Sequence, residues 1–104
     1  MYNKLVRDNI PDIIKSNGEN PIIEILNDKL YKKELENKLL EECNEVINST
    51  GEDRIEELAD LLEVMIAMAN IENKTIDDVD KVRIKKKEKR GGFSKKIYLK
   101  YVER

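Results

Sequence analysis

Histidine and tryptophan are absent from this chain, cysteine and phenylalanine occur once each, and proline twice. The missing histidine excludes a histidine-based catalytic triad, a histidine metal ligand and a histidine proton shuttle. The lone thiol, Cys43, cannot form an internal disulfide, which fits a reducing compartment, and it reads as core filler. No apolar run approaches the roughly 20 residues needed to span a bilayer. The opening MYNKLVRDNIP lacks the apolar stretch of a signal peptide, so a cytoplasmic location is expected. Repeats and low-complexity linkers are also missing. The 104 residues suit one domain, residues 1–104. A chain of this size hides about 60–70% of its unfolded surface, which predicts one modest core.

Charge is what the chain has in abundance, at 40% of residues, and it is segregated. Between Leu39 and Asn73 there are ten acidic side chains and one cation, Arg54. Residues 81–96, KVRIKKKEKRGGFSKK, carry nine Lys/Arg and one Glu, a net charge of +8. The last eight residues add +1, which leaves −11 on the first eighty. A functional reading has to use both the acidic middle and the basic end.

The pattern along the chain predicts a mainly α protein. PDIIKSN forms a short helix, with Pro11 at its start and Gly18 just past its end. PIIEIL is a short β-rich run. A long helix is expected from about Asp28 to about Asn48, with Leu35, Leu39, Val46 and Ile47 near one stripe. NSTGED breaks it, Gly51 supplying a left-handed residue. Asp53 followed by Glu56 resembles a capping box, so a second helix is expected to begin there and to run to about Glu72. From Leu58 to Ile71 only Asp60, Glu63 and Asn70 are strongly polar. A helix apolar on nearly all sides is buried on nearly all sides, and a small monomer has little to cover it with, so other subunits are expected to do so. Thr75 with Asp78 marks a further helix start, the cations of KKKEKR suit its C-terminal dipole, and Gly91-Gly92 stops it. FSKKIYLKYV alternates as a strand, with Phe93, Ile97, Leu99 and Tyr101 on one face. Residues 21–26 and 93–102 are therefore expected to pair as a small two-stranded β element, since a lone strand is unstable.

The acidic residues have a spacing of their own. Glu42 and Glu45 lie three apart and share a helix face, as do Glu57 and Asp60. About a turn at Gly51, an antiparallel hairpin sets Glu45 opposite Glu57 and Glu42 opposite Asp60. Two carboxylate pairs then converge at matching heights. Lys38 can reach Glu42 and Arg54 can reach Glu57, but no cation within a helical turn serves Glu45 or Asp60. An all-oxygen cluster suits Mg²⁺ or Mn²⁺ rather than zinc. Single acidic residues on helices are ordinarily a solvated face; the paired, mirrored spacing is what sets these apart. Glu41 is a further ligand or a neighbour to the ligands, and Glu63 lies on the face of Asp60. For the basic end three readings stand: a phosphate clamp, a nucleic-acid contact and a solvated helix end. The acidic body and the scarcity of stacking aromatics weigh against nucleic acid. Arg7 is another candidate anion ligand, unless Asp8 pairs with it.

Glu41-Glu42-Cys43-Asn44-Glu45 followed by Glu57-Leu58-Ala59-Asp60 resembles the EExxE and ExxD motifs of the all-α nucleotide pyrophosphohydrolases. This is the MazG-like superfamily, which includes phosphoribosyl-ATP pyrophosphohydrolase and the dimeric dUTPases. KLVRDNIPDII and KRGGFSKKIYL look like a small single-domain branch of the group, so the resemblance spans most of the chain. The eleven-residue gap between the motifs is at the short end for the group. The resemblance implies Mg²⁺-dependent hydrolysis of a nucleoside triphosphate to monophosphate and pyrophosphate, with Mn²⁺ as a substitute. It implies metal binding by Glu42, Glu45, Glu57 and Asp60, and a proton acceptor in Glu41 or Glu45. Lys86, Lys89, Arg90 and Arg7 are the expected phosphate ligands. The family is usually a homodimer or homotetramer with sites lined by more than one subunit. The competing expectation is a non-catalytic, metal-binding helical oligomer that acts as an interaction module.

Overall fold

The computed structural model describes residues 3–104; Met1 and Tyr2 lie outside the described residues. Four α-helices follow one another: α1 (Ile10–Ser16), α2 (Asp28–Ile47), α3 (Gly51–Ile71) and α4 (Ile76–Arg90). α1 carries its proline in the first turn, where no helical N–H is lost, and Gly18 follows its cap with a left-handed φ of 84°. α2 starts at Asn27, whose side chain accepts a hydrogen bond from the Leu30 N–H at 2.9 Å.

α2 and α3 form a hairpin across a three-residue connection, and Leu35 from α2 with Val64 and Ala69 from α3 are its buried apolar residues. Gly51 has the left-handed φ expected of it, 59°, but it opens α3 instead of closing α2. The cap of α3 is Thr50, which makes no side-chain hydrogen bond. Asp53 therefore lies inside the first turn and is not a cap. Its carboxylate faces the positive end of the helix dipole there, which suits an acid equally well. α4 begins as its sequence dictates: the Thr75 hydroxyl accepts from the Asp78 N–H, and the Asp78 carboxylate accepts from the Thr75 N–H at 2.9 Å. It ends at Gly91, φ 83°.

The expected two-stranded β element is not seen among the described residues. Residues 21–26 and 93–102 form no ladder, and Ile22, Ile25, Phe93, Ile97, Leu99 and Tyr101 stay exposed. The second segment is also bent at its start, where the Lys96 N–H donates to the Phe93 carbonyl and Lys96 takes a left-handed φ of 61°. Alternation specifies a face for a strand to bury, but a strand needs a partner in register, and within this chain neither segment meets one.

The helices are incompletely covered. Helix-to-helix packing is confined to α2 with α3 and α3 with α4, and α1 packs on no other helix. The radius of gyration is 18.2 Å and the longest dimension 64 Å, against about 13 Å for a compact chain of this length. The exposed surface is 9826 Å², where a compact monomer of 12.2 kDa exposes about 6,100 Å². On α3, Ile55, Leu58, Leu62 and Met65 are exposed and recur at alternating steps of three and four, an unpartnered apolar stripe. No described helix is long and apolar enough to cross a membrane.

Candidate metal centre

The α2–α3 hairpin brings together carboxylates fifteen or more positions apart in the chain. Ligand oxygens of Glu42, Glu57 and Asp60 all lie within 4.8 Å of one another. Glu42 comes from the buried side of α2; Glu57 and Asp60, one turn apart, come from α3. Glu42 is the one buried charged residue among those described, at 7% exposure. A buried carboxylate is costly unless it is compensated. Its nearest cation, Lys38 Nζ, is 3.6 Å from Oε1, too far for a good hydrogen bond, and Lys38 is shared with Glu41 at 3.5 Å.

Glu57 has no ion-pair partner among the described residues. Desolvation, and then the charges of Asp60, Glu45, Glu42 and Glu56, raise its carboxyl above the ordinary value. Arg54 does not relieve it: the Arg54 Nε donates to the Ser49 carbonyl at 2.9 Å and so ties down the hairpin turn. Asp60 is served, but by a residue far away in the chain. Arg7 Nη2 lies 2.6 Å from Asp60 Oδ1, so Asp8 is not its partner. Glu41 holds Lys4 Nζ at 3.3 Å as well as Lys38. Desolvation pushes Glu41 up, yet the charge of Lys38 and the hydrogen bond and charge of Lys4 outweigh it and hold the carboxyl below its ordinary value.

Of the four expected metal ligands, then, three converge. Glu45 is exposed and not among them, although it is close enough to help raise Glu57. Of the four expected phosphate ligands, Arg7 stands at the cluster. Lys86, Lys89 and Arg90 are exposed on α4 and form no ion pair with its carboxylates. Shallow depressions lie along α4, one lined by Val79, Val82, Arg83 and Lys86. Cys43 is half-buried beside the acids in sequence and takes no part in the cluster. Sequence reasoning missed Lys4 entirely. Its only signal was its charge, close to Arg7 in KLVR and opposite in sign to the acidic hairpin.

The donor set fits a hard divalent cation. It is all oxygen, it comes from two rigid helices, and its charge is only partly met by Arg7 and a shared Lys38. Magnesium is bound through one or two carboxylates with the remaining positions left to water and phosphate. The chain matches no family model, and no curated protein or solved structure is significantly similar to it.

Proposed function

We propose that the protein is a nucleotide pyrophosphohydrolase that uses Mg²⁺, or Mn²⁺ in its place, to hydrolyse a nucleoside triphosphate to monophosphate and pyrophosphate. The observation that carries this reading is the meeting of the Glu42, Glu57 and Asp60 carboxylates across the α2–α3 hairpin. They are three of the four acids that the resemblance to the MazG-like superfamily marks as ligands. A divalent ion held by Glu42, Glu57 and Asp60 would supply the Lewis acidity that polarises phosphoryl oxygens and activates water. Glu45 suits the proton-accepting role better than Glu41. It is exposed and without an ion pair among the described residues, whereas Glu41 already holds Lys4 and Lys38. With no histidine in the chain, a carboxylate is the natural base. Arg7 is the phosphate ligand nearest the cluster. Lys86, Lys89 and Arg90 reach a phosphate only if α4 of this chain folds inward or α4 of a second copy lies over the site.

A homo-oligomer, dimer or tetramer, belongs to the same reading. The exposed surface exceeds that of a compact monomer by about 3,700 Å² per chain, more than the roughly 1,000–2,500 Å² that each partner buries in an obligate interface. The stripe Ile55, Leu58, Leu62 and Met65 supplies an apolar face.

The test is incubation with a panel of nucleoside triphosphates and Mg²⁺, followed by analysis of the phosphate products. Pyrophosphate release that disappears in Glu42→Gln and Asp60→Asn is the expected result. Silence across the panel by a protein that still binds metal leaves the second reading, a helical oligomer held or organised by a cation, which the exposed apolar stripe supports equally.

A further inference from the structure

The N-terminal segment reaches the acidic cluster in an unusual manner. Residues 4–7 contact the hairpin through two ion pairs, Lys4–Glu41 at 3.3 Å and Arg7–Asp60 at 2.6 Å, with Leu5 half-buried between them. The helix that follows, α1, packs on no other helix. The strap is thus anchored largely by carboxylates that belong to, or adjoin, the candidate cation site.

We propose that Arg7 is a displaceable counter-ion: it holds Asp60 while no metal is bound, and a divalent cation entering the cluster takes Asp60 from it and releases the strap. This rests on the reading of Glu42, Glu57 and Asp60 as a divalent-cation site. Three features carry it. First, the guanidinium engages one carboxylate of the three, whereas an ion among oxygens already within 4.8 Å of one another engages them all with twice the charge. Second, the Arg7 and Asp60 side chains are 56% and 44% exposed, and exposed ion pairs are weak, so the pair yields to a stronger ligand. Third, Arg7 comes from a segment whose following helix packs on no other helix, and none of residues 3–16 is fully buried, so little besides the half-buried Leu5 holds it in place. Coupling of this kind is reciprocal: the factor by which Arg7 weakens metal binding is the factor by which metal weakens the Arg7–Asp60 pair. Release also leaves the guanidinium free beside the cluster, where an anionic phosphate is its next partner.

The experiment titrates the full chain with Mn²⁺ by calorimetry, comparing wild type, Arg7→Gln and Lys4→Gln. In parallel it follows the Arg7 Nε–H signal by NMR as Mg²⁺ is added. Arg7→Gln is expected to bind Mn²⁺ about two- to fivefold more tightly than wild type. Lys4→Gln, which removes the same charge outside the three carboxylates, changes affinity less, and the Arg7 signal moves as Mg²⁺ saturates. Binding by Arg7→Gln but not by wild type is the strongest form of the same result. Equal or weaker binding by Arg7→Gln overturns the proposal, as does equal tightening by Lys4→Gln or a stationary Arg7 signal under bound Mg²⁺; each leaves the cation site intact. Absence of binding in wild type and Arg7→Gln alike overturns the proposal together with the site it rests on.

Discussion

Glu41 and Glu57 are the same side chain in opposite surroundings. Glu41 is held below its ordinary value because Lys38 and Lys4 outweigh its desolvation. Glu57 is raised above its ordinary value of 4.5 by desolvation and by four neighbouring acids. Between 4.5 and that raised value the folded chain binds more protons than the unfolded chain. Stability of the metal-free protein therefore falls as pH rises through this window and is regained on acidification to its lower edge. Glu57→Gln removes the charge and keeps the shape. It is predicted to raise the melting temperature of the metal-free protein at neutral pH and to flatten the pH dependence in that window, as thermal denaturation across pH measures. If a divalent cation binds at the cluster as proposed, the preference reverses, because the ion requires the ionised carboxylate. The same substitution is then predicted to lose the stabilisation that Mg²⁺ gives to the wild type. The sequence foretold the meeting of Glu42, Glu57 and Asp60 because helix periodicity and one turn fix it. It did not foretell Arg7 at Asp60, since that contact joins residues 53 positions apart through a segment with no periodicity to read.

At the scale of elements, local chemistry decided most boundaries. The Thr75–Asp78 capping box, the stop at Gly91 and the short helix bounded by Pro11 and Gly18 follow from side-chain hydrogen bonds, a fixed proline φ and glycine conformations, all of which are local. α3 begins at Gly51 instead of near Asp53 because an acid in the first turn satisfies the dipole without being the cap. The β pairing was not legible for a different reason. FSKKIYLKYV and PIIEIL show the right residues for strands, but register and partner are long-range properties. Thr75→Ala is predicted to destabilise α4 by about 1 kcal/mol, read as lost helicity by circular dichroism with little change in the α2–α3 hairpin. Asp78 is held below its ordinary value of 3.8, first by the Thr75 backbone N–H and then by the Thr75 hydroxyl. Its contribution is therefore fully present above pH 3.8 and is lost as pH falls through the lower folded value. Helicity of α4 should follow that course, and Asp78→Asn should blunt it.

The whole molecule exposes more surface than a compact chain of its size. Among the described residues, three buried apolar side chains, Leu35, Val64 and Ala69, are a small core. The apolar run from Leu58 to Ile71 is what the proposed assembly would cover. Leu62→Glu places a charge in the exposed stripe of α3. It is predicted to shift the protein to a smaller species in light scattering coupled to size exclusion, from a dimer or tetramer toward the monomer. A wild type that already runs as a monomer refutes the assembly.

Whether the two acidic motifs share a cation is decided by anomalous diffraction from crystals grown with Mn²⁺. A manganese peak is expected among the carboxylates of Glu42, Glu57 and Asp60, about 2 Å from their nearest oxygens. Manganese elsewhere on the protein, or none, with those three side chains turned apart into solvent, would contradict it.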